Sequence, residues 1–507
     1  MSEEPKLPTK WVFSTIGKVC EPSQYGYTAK ASSSGRTHYL RTTDITAGLI
    51  NWASVPYCDI PVNEEPKYLL NDGDVVISRA GSVGFSCLIL NPAKSVFASY
   101  LIRFRPLILP KYFSYFLDTP TYWESVGERS LGIAVQNVNA TNLSEIQIPI
   151  APKAEQIRIV EKLEELFSDL DAGVAELKAA QKKLAQYRQS LLKAAVVGEL
   201  TAEWREKNKP KETGAKLLER ILKERRSSWE EKQLARFKEQ GKTPPKGWQD
   251  KYPEPVQPDT TNLQELPEGW VWASLNMLTE FITSGSRGWA DYYSTEGAIF
   301  IRSQNINKDW LDLSDIAFVS PPANSEGART RVRLHDLLLT ITGANVGKSA
   351  QVAIELEEAY VSQHVALLRP VEVSLSYYLH LYLTSVAGGR GQLDKEAYGA
   401  GKPGLNLQQV AAVVVPLPSS NELAAIEGIV EQQLSAIAEQ NISLTHSHAQ
   451  AAAQRKNILK SAFSGQLVAQ DPNDEPACEL LERIRSERQS LIKNSKKTGT
   501  PRRKQSC

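Results

Sequence analysis

The sequence predicts a mixed α/β (α+β) protein in which two similar domains are separated by two long helices that pair as an antiparallel coiled coil. Three observations favour this fold class. The chain repeats itself, each copy contains short β-rich runs divided by Gly, Pro and Asn, and each copy continues into a long heptad row. A length of 507 residues also exceeds what a single hydrophobic core usually serves. We therefore expect a pseudo-twofold internal repeat.

The duplication is an ordered series of like segments that spans most of the chain. Residues 7–12 read Leu-Pro-Thr-Lys-Trp-Val, and residues 266–271 read Leu-Pro-Glu-Gly-Trp-Val. The best-matched pair joins the ends of the two heptad rows, at residues 191–200 and 458–467. Such a series predicts two copies of one structural unit joined head to tail, and its long period excludes a solenoid of short repeats.

The pattern divides the chain into six segments. They are a first mixed domain at 1–151, a spacer helix at 152–204, a charged linker with one solvated helix at 205–265, a second mixed domain at 266–418, a second spacer helix at 419–470, and a C-terminal helix with a basic tail at 471–507.

Apolar residues seven apart predict the coiled-coil seam. In the first helix the seam positions are Leu163, Leu170, Leu177, Leu184 and Leu191. In the second helix the seam is kept in Val430, Ile437, Leu444 and Ile458. The accompanying row of the second helix also contains Asn441, His448 and Arg455, and we expect such polar residues to fix one alignment of the pair.

Composition restricts the compartment and the chemistry. Lys and Arg number 59 against 58 Asp and Glu, so the formal charge of +1 gives no polycationic signature of a nucleic-acid binder. The five cysteines contain no C-x-x-C pair, which argues against a thiolate zinc site and favours a reducing compartment. No apolar signal region or membrane-length run is visible, so we expect a cytoplasmic protein with no membrane partner.

Two motifs that invite an enzymatic interpretation fail on spacing or composition. The glycine loop at 343–349 has three residues between its glycines where a phosphate loop needs four, so a tight turn between strands is favoured. The Pro-containing segments at 91–94 and 320–323 lack the aromatic residue of an amino-methyltransferase motif. No metal site or catalytic constellation can be singled out, so we expect no catalytic residue and no metal in this chain.

Loops that carry glycine and arginine in matching positions of the two copies are the remaining candidates for a binding site. The first copy offers Arg36, Arg41, Arg79 and Ser82. The second copy offers Arg287, Arg302, Asn345 and Lys348. Arg and Asn can contact guanine and adenine edges, while Ser and Lys commonly touch phosphate, so these residues are candidate DNA contacts. For each of them, a surface arginine or a polar turn residue is the structural alternative.

The layout of mixed domain, heptad helix, mixed domain and heptad helix resembles the DNA specificity subunit of type I restriction-modification systems. The residues that carry the resemblance are the Leu-Pro-x-x-Trp openings at Leu7 and Leu266, the strand segments that lead into glycine turns around Asp74 and Asp336, and the Leu-Lys-x-Ala-x-x-Gly-x-Leu helix ends at Leu192 and Leu459. The first junction into a helix has Glu155-Gln156, whereas the second reads Asn421-Glu422-Leu423 and departs from this pattern. The entry into the second helix is therefore less well defined by sequence.

The resemblance implies that each mixed segment is a target recognition domain that reads one half of a bipartite, asymmetric double-stranded DNA site. It also implies that the helices bind two methyltransferase subunits and that two restriction-translocation subunits join the larger complex. S-adenosylmethionine, ATP and Mg²⁺ would be used by those partner subunits, and this chain would be a non-catalytic specificity subunit. A two-domain coiled-coil scaffold without DNA readout is the alternative, and an enzyme is a more distant one.

Overall fold

The computed structural model describes residues 7–45, 49–129, 138–209, 211–261, 263–307, 309–322, 329–399 and 403–497. The chain divides into two compact units. Unit 1 consists of Met1–Lys178 with Thr445–Cys507, and unit 2 consists of Ala179–Leu444. Each unit thus contains one mixed domain together with one part of each long helix.

The described residues of the first sequence copy contain nine short strands, and helices alternate with them along the chain. The strands are β1 (Val12–Thr15), β2 (Gln24–Tyr25), β3 (Thr37–Leu40), β4 (Tyr57–Cys58), β5 (Val75–Ser78), β6 (Ser86–Leu88), β7 (Ser95–Phe97), β8 (Leu101–Phe104) and β9 (Gln147–Ile150). The helices are α1 (Ile16–Val19), α2 (Thr42–Ile45), α3 (Glu65–Tyr68), α4 (Pro110–Phe116), α5 (Pro120–Arg129), α6 (Ala140–Ser144), the long α7 (Lys153–Val196), α8 (Ala202–Lys207) and α9 (Gly214–Glu239).

The second sequence copy follows the same plan with a few additional strands. Its strands are β10 (Val271–Ser274), β11 (Thr279–Ser284), β12 (Tyr293–Ser294), β13 (Ala298–Ile301), β14 (Ile306–Asn307), β15 (Trp310–Leu311), β16 (Ala317–Val319), β17 (Leu337–Thr340), β18 (Ser349–Gln351), β19 (Ala359–Val361), β20 (Val365–Pro370) and β21 (Val414–Leu417). Its helices are α10 (Ser376–Thr384), α11 (Gly389–Glu396), α12 (Leu407–Ala411), the long α13 (Ser420–Phe463) and α14 (Ala477–Lys497).

The sheets of the two units have matching topology. Unit 1 has a four-stranded sheet in the order β2-β8-β5-β6, and unit 2 has one in the order β11-β20-β17-β18. In both units a second sheet contains a parallel pair, β3 with β7 and β13 with β19. A two-stranded sheet closes each domain, with Val12 opposite Ile150 in unit 1 and Val271 opposite Leu417 in unit 2. The repeated fold class predicted from the duplication is confirmed.

The central strands β5 and β17 are buried along their whole length, and each follows a buried aspartate. The Asp74 carboxylate accepts a hydrogen bond from Arg105 Nε at 2.8 Å, and Asp336 accepts one from Arg369 Nε at the same distance. A buried carboxylate requires such a partner, because an unpaired charge in a core is costly. The aspartates that supported the resemblance therefore serve the fold.

The two long helices are antiparallel, as their contacts within each unit show. In unit 1 the start of α7, with Leu163 and Phe167, shares a core with Leu459 and Phe463 at the end of α13. In unit 2 the end of α7, with Leu192, shares a core with Ile426 and Val430 at the start of α13. The predicted antiparallel pairing is confirmed.

The heptad row is buried unevenly along the helices. Its buried members are Leu163, Leu191, Val430 and Ile437. Its half-buried members are Leu170, Leu177, Leu184, Leu444 and Ile458. A straight α-helix drifts by about 20° per heptad relative to a strict seven-residue repeat, so one row does not stay centred on the partner.

The polar residues beside the seam are also displaced from the helix interface by this drift, except for Arg455. Asn441 and His448 are exposed, so the prediction that they lie between the helices and fix the alignment is wrong. Ser447 is half-buried instead of its neighbour His448. Arg455 does lie between the helices, because its guanidinium is 4.0 Å from the Phe167 ring and one of its nitrogens is 3.0 Å from Asp171 Oδ1.

The helix in the charged segment between the copies is not simply solvated. Leu217, Leu218 and Ile221 on α9 are buried in the core of unit 2, which corrects the prediction of a solvated linker helix. The corresponding face of α14 lies in the core of unit 1 through Leu480 and Ile484. The helix that follows each heptad row in sequence therefore packs on the mixed domain of the other copy.

The helix ends and the Leu-Pro-x-x-Trp openings meet in the same way. Gly198 ends α7 with a φ of +79°, and a Cβ placed on it would lie 2.7 Å from Pro267 and 3.1 Å from Trp270. Gly465 ends α13 with a φ of +75° and lies against Pro8. Only glycine meets both demands, a left-handed backbone and close approach of a neighbour. The two motifs quoted separately for the family resemblance form one contact.

Candidate nucleic-acid interface

The glycine loops of both units are tight turns between antiparallel strands. In unit 1 the loop joins β5 to β6, and Gly84 N donates to Ser78 O at 2.9 Å. In unit 2 it joins β17 to β18, and Gly347 N donates to Thr340 O at 2.9 Å. The strand-turn interpretation of the glycine motif is therefore confirmed in both copies. The turns present Arg79 and Ser82 in unit 1, and Asn345 and Lys348 in unit 2.

Arg79 lies at the start of the first loop and stacks on an aromatic ring. Its guanidinium is 5.0 Å from the centroid of Tyr25, and Tyr25 is itself 40% exposed. Arg79 Nε is buried without a hydrogen-bond partner among the described residues. Since a buried polar atom normally has a partner, the site has an unfilled donor that a ligand acceptor could satisfy. Ser82 is half-buried in the same turn.

Exposed aromatic side chains lie beside this loop. Phe85 directly follows the turn and contacts Trp123 with ring centroids 5.2 Å apart. Both rings are more than a third exposed to solvent, at 40% and 37%. Sequence reasoning did not single them out, because Trp123 is distant in sequence and only the fold brings the two rings together.

The other two candidates of unit 1 differ in how free their charges are. Arg36 is exposed and lies 3.9 Å from Glu65 Oε1. Arg41 donates to both carboxylate oxygens of Asp44, at 3.0 Å from Nε and 2.8 Å from the terminal nitrogen. The hydrogen bond to Asp44 raises the pKa of Arg41. The same interaction engages the guanidinium with a neighbouring side chain of the protein. This geometry gives Arg41 a clear structural role, whereas Arg36 keeps an accessible charge.

In unit 2 the second glycine loop is bonded to the turn that carries another candidate. Asn345 Nδ2 donates to Ser303 O at 3.2 Å, and Lys348 Nζ donates to Asn345 Oδ1 at 3.0 Å. Arg302, next to Ser303, donates to Asp315 Oδ2 at 3.2 Å, and its Nε is buried without a partner in the described part of the chain. The fold thus brings Asn345 and Lys348 together beside the turn of Arg302.

Arg287 lies exposed in the loop that follows the edge strand β11. Ser286 beside it accepts a hydrogen bond from Arg329 at 3.4 Å. Arg329 belongs to a group of cations around a cavity of about 470 Å³ that the sequence had not indicated. The sequence does show arginine at every second position of 329–333. It does not show that distant residues such as Lys232 and Arg369 line the same cavity.

Of the two Pro-containing segments that resemble an amino-methyltransferase motif, the one at 91–94 forms a turn. Asn91 adopts a φ of +45° in the turn between β6 and β7, and its backbone N donates to Asp72 Oδ1 at 2.8 Å. Ala323 lies outside the described residues. Within the described ranges, no group of three or more His, Cys, Asp or Glu side chains is placed to hold a metal ion. No helix in the same ranges combines the length and apolar character needed to cross a membrane.

Comparison with known proteins agrees with this architecture. Residues 8–179 match the family model of the type I restriction modification DNA specificity domain. The chain is 25% identical to the type I restriction enzyme EcoBI specificity subunit of Escherichia coli over 380 residues, which cover 73% of this chain and 70% of that protein. It is 24% identical to the EcoKI specificity subunit of Escherichia coli (strain K12) over 513 residues, covering 95% of this chain and 96% of the relative.

A solved structure concerned with complex assembly and conformational transition of the type I R-M system has the same fold. It aligns with 91% of this chain and 100% of its own chain, with a TM-score of 0.64 at 18% sequence identity. Residues 8–179 thus match a type I restriction modification DNA specificity domain, and the chain is similar over most of its length to type I restriction enzyme specificity subunits.

Proposed function

We propose that this chain supplies DNA sequence specificity to a type I restriction-modification complex, with each unit reading one half of a bipartite, asymmetric site. One observation carries the proposal. The same turn between two antiparallel strands presents Arg79 in unit 1 and Asn345 in unit 2. Arg and Asn are side chains that form paired hydrogen bonds with guanine and adenine edges, and Asn345 would exchange its bonds to Ser303 and Lys348 for such a pair. One chain with two such turns has two readers of different chemistry.

The neutral composition fits a reader that works within a larger complex. A formal charge of +1 gives little long-range attraction for DNA, so local cations and partner subunits must supply phosphate contacts. We infer that two methyltransferase subunits bind along α7 and α13 and that two restriction-translocation subunits complete the cytoplasmic assembly. In this arrangement S-adenosylmethionine, ATP and Mg²⁺ belong to the partners, and this chain catalyses no step.

The helices have a geometric part in the proposal. Two readers on one face of a duplex must be separated by about 34 Å or a multiple of it. Each long helix has 44 residues and so rises by about 66 Å at roughly 1.5 Å per residue. We infer that helix length sets the gap between the two half-sites.

Selection from random duplexes tests the reader. The full chain is co-expressed and co-purified with its methyltransferase subunits, and the complex is used to select from a pool of random duplexes. We expect enrichment of two short motifs at a fixed spacing. An intact complex that enriches no sequence would contradict the proposal and support a protein scaffold instead.

Helix length is tested in the same assay. One heptad is deleted from each long helix, which removes about 10 Å of rise from both. We expect the same two motifs with a shorter gap. The matched control replaces the exposed residues of those heptads by alanine without changing their number, and it should keep the original gap. An unchanged gap in the deletion variant would contradict the spacer role.

A further inference from the structure

A basic groove in unit 2 has properties that the two reading loops do not account for. The groove is lined by Lys232, Phe281, Thr283, Arg329, Arg331, Arg333 and Arg369. It encloses about 470 Å³ beside the edge strand β11. Five of its seven lining side chains are cationic, in a chain whose total charge is +1.

Two of these cations are neutralised by neighbouring carboxylates. Lys232 Nζ lies 2.6 Å from Glu280 Oε2, and Arg369 lies 2.7 Å from Asp336 Oδ2. The Arg369 guanidinium also covers the Phe281 ring at 4.9 Å and so forms a rigid wall. Within the described residues, no carboxylate lies within 4.0 Å of the charged nitrogens of Arg329, Arg331 or Arg333. Three positive charges therefore remain for a ligand.

The backbone presents these three arginines on one side. Arg329, Arg331 and Arg333 are exposed, whereas the intervening Thr330 and Val332 are buried. Two of the guanidiniums are held by hydrogen bonds that leave other donors free. Arg331 donates to Glu357 O at 3.1 Å, and Arg329 donates to Ser286 Oγ at 3.4 Å. The cations are therefore positioned before a ligand arrives, which lowers the entropic cost of binding.

The aligned segment among the described residues of unit 1 does not repeat the three arginines. The backbone bonds around Asp74 and Asp336 align the two segments, since Asn71 N donates to Asp74 Oδ2 and Arg333 N donates to Asp336 Oδ2. By this alignment the three arginines correspond to Lys67, Leu69 and Asn71. Unit 1 thus has one cation where unit 2 has three.

From this asymmetry we propose that the basic groove binds the phosphodiester backbone of double-stranded DNA and anchors unit 2 to the duplex independently of base sequence. The proposal rests on the proposed function. Arginine forks suit phosphate oxygens, and Arg329, Arg331 and Arg333 line the same groove. The bond from Arg329 to Ser286 joins the groove to the loop of the candidate Arg287. This continuity favours DNA over an acidic segment of a protein partner.

The test uses the full chain in complex with its methyltransferase subunits. The double variant Arg329→Gln with Arg333→Gln removes two of the free charges, and Arg236→Gln with Lys238→Gln removes two exposed charges from α9 as a matched control. Binding to selected and unselected duplexes is measured over a range of salt concentrations. We expect the groove variant to bind both duplexes at least ~10-fold more weakly at about 0.1 M salt, with the slope of log K against log salt reduced by about 2.

The outcomes separate this proposal from the function on which it rests. The selected motif and the recovery of the complex should be unchanged in the groove variant, while the control variant should bind like the unaltered complex. A groove variant that keeps full affinity and slope would overturn the anchor and leave the reading function intact. Loss of methyltransferase co-purification, or a changed motif, would also overturn it. Absence of any duplex binding by the unaltered complex would overturn both proposals.

Discussion

At each junction where a strand leads into a long helix, a buried glutamate needs hydrogen-bond donors, and the two junctions supply them from different residues. Glu155 and Glu422 are both 1% exposed, and each accepts a hydrogen bond at 3.0 Å from a tryptophan, Trp11 or Trp270. In unit 1 the second acceptor oxygen is satisfied by a neutral amide, Gln470. In unit 2 it is satisfied by Thr201 at 2.6 Å and by the guanidinium of Arg205.

This comparison explains why the second junction departs from the first in sequence without losing its structure. Gln156 of unit 1 bonds to Leu109 N at 3.2 Å and to Ala151 O at 2.9 Å, whereas Leu423 of unit 2 is buried in the apolar core. The carboxylate, which is repeated, holds the helix start in both units. The residue after it is free to be polar or apolar. Helix entry at the second junction is therefore as well defined as at the first.

The largest expected effect is a difference in the stability lost when each of the two buried carboxylates is removed. Glu422→Ala leaves Arg205 and Trp270 without their acceptor, and removing one partner of a buried ion pair costs about 3 to 5 kcal/mol. Glu155→Ala leaves only neutral donors unpaired, at a cost of about 1 to 3 kcal/mol. Urea unfolding followed by hydrogen exchange would report the two units separately. Equal losses in both units would contradict the difference.

A second comparison concerns the ends and the middle of the helix pair. Leu163 is fully buried, so Leu163→Ala should lower the free energy of unfolding of unit 1 by about 2 to 4 kcal/mol. Leu177 is only half-buried, so Leu177→Ala should cost about 1 kcal/mol. The exposed neighbour Glu176 provides a control substitution to alanine with an effect within about 0.5 kcal/mol. Similar costs at both leucines would mean that the heptad row is packed evenly.

A smaller effect is expected where the turns before β5 and β17 differ. Gly73 has a φ of +84° in unit 1, and the corresponding His335 has a φ of +70° in unit 2. A non-glycine residue in this backbone region costs about 1 to 2 kcal/mol. Replacing it by glycine removes this strain, but glycine also makes the unfolded chain more flexible, which offsets part of the gain. His335→Gly should therefore stabilise unit 2 by about 0.5 kcal/mol, and Gly73→Ala should destabilise unit 1. Calorimetry that shows a loss of stability in His335→Gly would refute this strain.

The smallest effect is a pH dependence confined to the unit 1 junction. Burial raises the pKa of the Glu155 carboxyl above its ordinary value, against opposing hydrogen bonds from Trp11 and Gln470. The folded chain then holds this proton more tightly than the unfolded chain. The stabilising contribution is therefore complete below the ordinary carboxyl pKa and is lost as the pH rises through the folded-state pKa.

Urea unfolding of the wild type and of Glu155→Gln checks this sign. The stability of the wild type relative to the variant should fall as the pH rises above the ordinary carboxyl pKa of about 4.3. Glu422→Gln is compared in parallel, because its junction has a cationic partner in Arg205. A difference between the wild type and Glu155→Gln that rises with pH would show the opposite coupling.

The sequence predicted which helices and domains form better than it predicted which of them pack against each other. Duplication and heptad spacing can both be recognised along the sequence, so the two domains and the antiparallel helices followed from them. No pattern along the chain shows that Leu217 on α9 packs in the core of unit 2, because that choice is made by tertiary packing. His448 was misplaced for a related reason, since a strict seven-residue count ignores the drift of a straight helix.

The candidate binding residues show the same limit. Matching positions in the copies were sufficient to find the loops of Arg79 and Asn345. The sequence did not reveal that Arg41 is engaged by Asp44 through both carboxylate oxygens. It also did not reveal that Lys232 and Arg369 meet the segment at 329–333 around one groove, because these residues are far apart in the chain.

The central claim is that each unit reads its own half of one DNA site, and motif selection with two single variants tests it most directly. Arg79→Ala should relax one half of the selected motif and Asn345→Ala the other half, by about 1 to 3 kcal/mol at the affected base pair. Arg236→Ala serves as the control, because this exposed charge on α9 lies in neither reading loop, and it should leave both halves of the motif unchanged. Relaxation of the same half by both variants, or an unchanged motif in both, would contradict the account.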